Sequence, residues 1–373
     1  MRACWLALVV VGISLAEVGG ALAQSTIDYL PGQSPQDVSL AVKSGNVFAF
    51  DLEGRLAQEP GNVFFSPASI DAVLSMLYGG ARGETARQMG RTLQFKLRGD
   101  TLHVAMGEVL RRINTVPDLP HRKTPPYELV MANALWLQKD LPLTEHFLQV
   151  ARDDYEADHN QVDFFAPEEA RKTINAWAGK ETRGRIPEVI PSGGVDTNTR
   201  LVVADAVYFK GDWANPFRKE GTQQEPFHLT SQQSAQAPMM HLAARLDYLE
   251  QDSLQIVELP YVGGVLSMIV FLPKEVDGLA RLEAILAPDS LSEFLNNRKP
   301  AQVEVSLPRF QISHDVRLAG VLKEMGIADA FNGNADFTGL SPAKGIFVAD
   351  IFHKAVISVD ETVPVSSTEI TAL

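Results

Sequence analysis

The chain has 373 residues, 45% hydrophobic and 21% charged, so it can bury a sizeable core and is not disordered as a whole. Its 46 acidic and 33 basic residues leave a net charge of -13, which argues against general nucleic-acid binding and against electrostatic adhesion to anionic membranes. The cysteine count of 1 excludes an intrachain disulfide and a cysteine-based zinc cluster.

Arg2, the apolar run Trp5 to Ala16 and the small residues Ala21-Leu22-Ala23 before Gln24 read as a secretory signal over residues 1–23. The run is shorter than the ~20 apolar residues of a membrane span. Cleavage after Ala23 would remove Cys4 and deliver a thiol-free protein to an oxidising compartment, extracellular or periplasmic. A bacterial exported protein is the expectation. Residues 24–36 form a loose polar lead-in. From Asp37 to Glu59, Val38, Val42, Val47, Phe48, Leu52 and Leu56 suggest a long helical face interrupted by Gly45 and Gly54. Ser66 and Pro67 suit the N-cap and first position of a helix that stops at Gly79-Gly80. Short helices follow around Thr85–Leu93 and Leu102–Ile113.

Tyr127 to Gln138 reads as a strand. A helix around Thr144–Asp153, a strand Val162–Phe165 and a helix from Ala166 come next. Leu201 to Phe209 is nearly all apolar, the pattern of a central strand buried on both faces. Val265–Leu272 reads the same way. Val303–Ile312 is a strand, Val316–Met325 a helix and Gly345–Asp360 a long strand. Helices dominate the first half and strands the second, an α+β pattern without repeats or a linker. Residues 37–373 are therefore read as a single domain.

Enzyme motifs are missing. There is no Gly-x-Ser-x-Gly elbow, no His-Glu-x-x-His and no phosphate-cradling glycine loop. Asp153, Asp154, Glu156, Asp158 and His159 form an acidic knot without calcium-loop spacing, better read as a solvated helix end. No metal and no cofactor are expected. The segment Arg82 to Lys123 holds nine Lys/Arg against four acids. A weak polyanion contact is one reading of it, and a solvated helical face the preferred one.

Six segments carry a resemblance. They are Asn62-Val-Phe-Phe-Ser-Pro-Ala-Ser-Ile70, Ala132-Asn-Ala-Leu-Trp-Leu137, Ala206-Val-Tyr-Phe-Lys-Gly-Asp-Trp213, Glu258-Leu-Pro-Tyr-Val-Gly-Gly-Val-Leu-Ser-Met268, Leu307-Pro-Arg-Phe310 and His353-Lys-Ala-Val-Ile-Ser-Val-Asp-Glu361. In this order and spacing they resemble the serpin family of protease inhibitors from about Asp37 to Glu361. The resemblance implies a large central mixed sheet, two smaller sheets and about nine helices. It implies a monomer whose partner is a serine or cysteine protease. An exposed loop is cut by that protease and inserts into the central sheet, trapping the acyl-enzyme. The resemblance places Ser66, Ser69 and His353 where the sheet parts, and Trp213 and Glu361 where insertion begins. Asp205 stands where the family usually has Asn.

The loop, beginning at about residue 362, departs from the family. Val363 and Pro364 replace small residues, and Pro364 cannot donate a ladder bond. The resemblance puts the cleaved bond just past Leu373, with further strands beyond it. A truncated or frame-shifted frame, or a fragment, is therefore expected, unable as written to trap a protease. The competing functions are a non-inhibitory carrier or binding serpin, for which Val363 and Pro364 speak, and a hydrolase with dispersed catalytic residues, for which no motif speaks.

Overall fold

The computed structural model describes residues 10–13 and 34–361, apart from 60, 121, 123 and 158. Nine α-helices and eleven strands lie among the described residues. The first part holds β1 (Val10–Ile13), α1 (Pro35–Leu56), α2 (Pro67–Gly80), α3 (Gly83–Thr92), α4 (Asp100–Asn114), β2 (Tyr127–Gln138), α5 (Glu145–Asp153), β3 (His159–Val162) and α6 (Pro167–Glu181). Then come β4 (Leu201–Gly211), β5 (Gln223–Thr230), β6 (Gln233–Glu250), β7 (Leu254–Pro260) and β8 (Leu266–Pro273). The chain continues through α7 (Leu279–Ile285), α8 (Pro288–Asn297), β9 (Lys299–Pro308), β10 (Phe310–Arg317), α9 (Leu318–Met325) and β11 (Asp350–Val359).

The central sheet has five strands in the order β10-β11-β4-β2-β3. The second sheet runs β1-β8-β7-β6-β5, with β9 also paired to β6. The two smaller sheets implied by the resemblance share the 18-residue β6 and are hydrogen-bonded as one. β1 falls inside the segment read as a signal. It pairs antiparallel with β8, from Val10↔Ile269 to Ile13↔Leu266.

β4 explains the layering. Its first nine residues are all buried, and alternate side chains enter different cores. Leu201 and Val203 join the cluster built by α1, α2 and α9, around Phe48, Ile70, Leu74 and Leu322. Val202, Ala204, Ala206 and Tyr208 face the opposite way, with Ile174 and Ala178 of α6. At the far end Phe209 packs with Trp213, Tyr261, Met240 and Met268, which join the two sheets.

The sequence reading and the structure part company in definable places. α1 starts at Pro35, inside the expected lead-in, because Ser34 accepts a cap bond from the Asp37 N–H. Gly45 and Gly54 do not interrupt it. Val303–Ile312 is two strands in two sheets. β9 ends at Pro308, which has no N–H to donate, and the Arg309 N–H turns to the Pro238 carbonyl. β10 then begins at Phe310 against Val359. β11 is shorter than expected because the Val348 and Ala349 amides are taken by the Ala330 and Leu201 carbonyls. β3 lies three residues earlier than expected, at His159–Val162. β5, β6, β7, α7 and α8 are not among the expected elements; in β5 and β6 polar, exposed residues break the alternation.

Two glycines of this fold have opposite roles. A Cβ at Gly107 would lie 2.6 Å from the Asp154 carbonyl oxygen, where α4 meets the end of α5. At Gly54, in α1, nothing lies within 4 Å. Gly107→Ala should therefore cost ~1–3 kcal/mol by forcing the elements apart. Gly54→Ala should add ~0.5–1 kcal/mol of helix stability. Thermal melting of the two variants checks this, and melting shifts of the same sign would contradict it.

Candidate functional site

The strands β4 and β11 are parallel neighbours, paired from Asp350↔Val202 to Ile357↔Phe209. β4's other neighbour, β2, and β11's other neighbour, β10, are both antiparallel. Parallel pairing is the slightly weaker kind per residue. A strand entering this seam could be antiparallel to both sides.

One row of polar side chains crosses the seam. Asn133 on β2 is in register with Asp205 on β4, and Asp205 with His353 on β11. Asp205 is 0% and His353 1% exposed. The backbone N–H of Ser66 donates to His353 Nε2 at 3.1 Å. That nitrogen must therefore be the acceptor, and the ring proton sits on Nδ1. Nδ1–H donates to Asp205 Oδ2 at 2.9 Å. The other carboxyl oxygen is 2.7 Å from Ser69 Oγ, which also lies 2.7 Å from Asn133 Oδ1. Ser69 has one hydroxyl proton for two partners. An Asn133 side chain turned to present its NH2 satisfies both contacts.

α2 positions the two serines. Ser66 is the N-cap and accepts at 3.4 Å from the Ser69 N–H, while Pro67 occupies the first turn. The helix N-terminus is thereby set under the sheet with Ser66 and Ser69 against the seam. The structure brings Ser66, Ser69, Asp205 and His353 into one cluster. It adds Asn133, which lies inside the Ala132–Leu137 segment and meets Ser69.

The far end of the seam is held separately. Trp213 stacks on Tyr261 with ring centroids 4.6 Å apart, and its Nε1–H donates to the Asp360 carbonyl at 2.9 Å. Glu361 is buried; it accepts from the Thr222 hydroxyl at 2.6 Å and lies 3.6 Å from Arg309. Lys210 sits 3.6 Å from the Asp360 carboxylate. The chain that follows β11 is thus tied at its root to both sheets. Val363 and Pro364 lie outside the described residues.

The basic segment 82–123 is largely occupied with its own chain. Arg82 donates to the Gly79 and Ala81 carbonyls. Arg87 and Arg91 pair with Glu84, Arg111 and Arg112 with the buried Glu108, and Arg122 with Asp212. Burial pushes the Glu108 carboxyl up, but hydrogen bonds from Arg112 and Arg111 outweigh it and hold the group below its usual range. Among the described residues no group of three or more His, Cys, Asp or Glu is placed to hold a metal ion. No helix among them is long and apolar enough to cross a membrane.

Residues 43–369 match the family model "Serpin (serine protease inhibitor)". This chain belongs to the serpin family. It is 37% identical over 324 residues to the leukocyte elastase inhibitor of Xenopus laevis, covering 84% of each chain. The human protein of the same name is 36% identical over 326 residues, again with 84% of each covered. Among solved structures, emu ovalbumin superposes with a TM-score of 0.81 at 31% identity, over 86% of both chains. A tumour suppressing serpin reaches 0.79 at 30% identity, over 86% of this chain and 89% of the other.

Asp205 is the hub of the polar row, so its variants are informative. Asp205→Asn keeps the shape but exchanges charge-assisted bonds for neutral ones, at a cost of about 1 kcal/mol. Asp205→Ala strands the His353 Nδ1–H in a buried site and leaves Ser69 with Asn133 alone, at a cost of about 3 kcal/mol or more. Urea unfolding should rank the parent above Asp205→Asn and Asp205→Ala last. Equal midpoints for the two variants would show that the row does not hold the seam.

Proposed function

We propose that this serpin inhibits serine-type endopeptidases by loop insertion into the seam between β4 and β11. The observation that carries the reading is the seam itself: a parallel pair whose outer neighbours, β2 and β10, are both antiparallel to it, closed by a polar row. An inserted strand replaces one parallel ladder by two antiparallel ones. Each added bond is worth ~0.5–1.5 kcal/mol net, and a full strand of them is enough to drive a large rearrangement. The free form is then the stored state of a two-state element. The inhibitor names of the relatives support the same reading. The segment before Gln24 supports export, with the protease met outside the cytoplasm.

The second reading is a carrier or binding protein. Pro364 favours it, since a proline near the root of the inserting segment removes a ladder bond.

The test incubates the full-length protein with elastase-, trypsin- and chymotrypsin-like proteases. The inhibitor reading expects a complex that survives detergent and boiling, and a large rise in melting temperature once the loop is cut. Pro364→Ala should shift the partition further toward complex. A loop that is cut without a complex and without a stability gain overturns this reading in favour of the carrier.

A further inference from the structure

α2 has a second polar side. Asp71 follows Ser69 by two residues, in a helix whose positions 69–77 are all buried. Asp71 is 4% exposed, and among the described residues its Oδ1 has no hydrogen-bond partner. One turn further on, the Ser75 hydroxyl is also buried, with the Tyr155 hydroxyl beside it. α1 presses against this point at Gly45, where a Cβ would stand 2.8 Å from Asp71 Oδ2. A side chain at position 45 would therefore crowd the carboxylate.

The other neighbours supply no cation. Tyr155, in the turn after α5, is a buried phenol pushed up by burial and then by the Asp71 and Asp154 carboxylates. Its hydroxyl is 2.8 Å from Nδ1 of His103 on α4. Burial lowers His103 to about 4; Asp100 opposes this, while His146 and Arg82 reinforce it. His103 is thus neutral. Asp154, at the rim, is raised to about 6 by burial, then by Asp153 and Asp100, with His146 opposing. Burial alone pushes the Asp71 carboxyl up to about 7.

We propose that Asp71 is a proton-held latch on α2: protonated, it rests in the α1–α2–α5 core, and its deprotonation loosens α2 and with it the seam that Ser66 and Ser69 help close. The direction follows from linkage. An unfolded aspartate ionises near ~3.9. Asp71 in the fold ionises at about 7. Stability is complete below the unfolded value, is lost as pH rises through the interval between the two, and stays reduced above it. Across that interval the folded-to-unfolded ratio falls up to about tenfold per pH unit. No protease is required, so this stands or falls apart from the inhibitory reading.

The test compares the full chain with Asp71→Asn, Asp71→Ser and, as a control, Asp51→Asn at an exposed position of α1. Melting is followed from about pH 5 to about pH 8. The parent and the control should lose several degrees over this range. Both Asp71 variants should give flatter profiles and melt above the parent at the alkaline end. Hydrogen exchange at the amides around Asp205 and His353, corrected for intrinsic base catalysis, should speed up with pH in the parent and not in the variants. Parallel melting profiles for parent and both variants overturn the latch, as does seam exchange that ignores the substitution. Carbon-13 NMR of labelled aspartate decides the matter even if neither Asp71 variant folds, with Asp154→Asn removing the other raised aspartate: in Asp154→Asn a carboxyl still titrating near neutrality supports the latch, and all titrating in the ordinary aspartate range overturns it.

Discussion

The central constraint is the pairing of β4 with β11. Two parallel strands at the middle of a sheet have satisfied ladders and give no obvious route for a third. What makes this pair special is that its closure depends on side chains as well as backbone. The Asn133–Asp205–His353 row reaches across three strands, and the Ser66 N–H and Ser69 hydroxyl bind it from below. All of these groups are buried or partly buried, so each bond is strong and each broken partner is costly. Closure is therefore local and cooperative, the property expected of an element with two discrete states.

α2 couples that row to the rest of the molecule. Its N-cap region faces the seam, and its interior is buried between the sheet and the α1–α4–α5 layer. The far end of β11 is anchored independently, through Trp213 to Asp360 and through Thr222 and Arg309 to Glu361. The two attachments divide the work. In the proposed mechanism the polar row would resist parting of the strands, and the anchors would fix where the following chain sets out. On the other face, Ala132, Ala134, Ala204 and Ala206 line the sheet beneath α6. Small side chains there leave few interlocking contacts for strand movement to break.

Much of this was legible in the amino-acid order, for physical reasons. The unbroken apolar run of β4 announces a strand covered on both faces, and Ser66-Pro67 announces a helix start. The seam residues could not be found from periodicity, because Ser, Asn, Asp and His in register across three distant strands leave no local pattern; they came through family resemblance. Asn133 was missed for want of a residue-level match, and the register of β2 with β4 supplies it. The split at Arg309 escaped notice because Pro308 reads equally well inside an edge strand. Asp71 did have a signal, a lone acid inside the apolar turn sequence Ser69-Ile-Asp-Ala-Val-Leu74. An acid on the buried face of a helix marks either an unseen partner or a shifted titration, and here no partner exists for its Oδ1 among the described residues.

The seam's ability to admit a strand is measured most directly by the distance between residues 206 and 354, in-register partners across β4 and β11, in a structure of the chain cut beyond Glu361. Adjacent strands lie ~4.8 Å apart, so insertion should roughly double that separation to ~10 Å. A cut chain in which the two positions remain direct neighbours would contradict the reading of this seam as the molecule's working part.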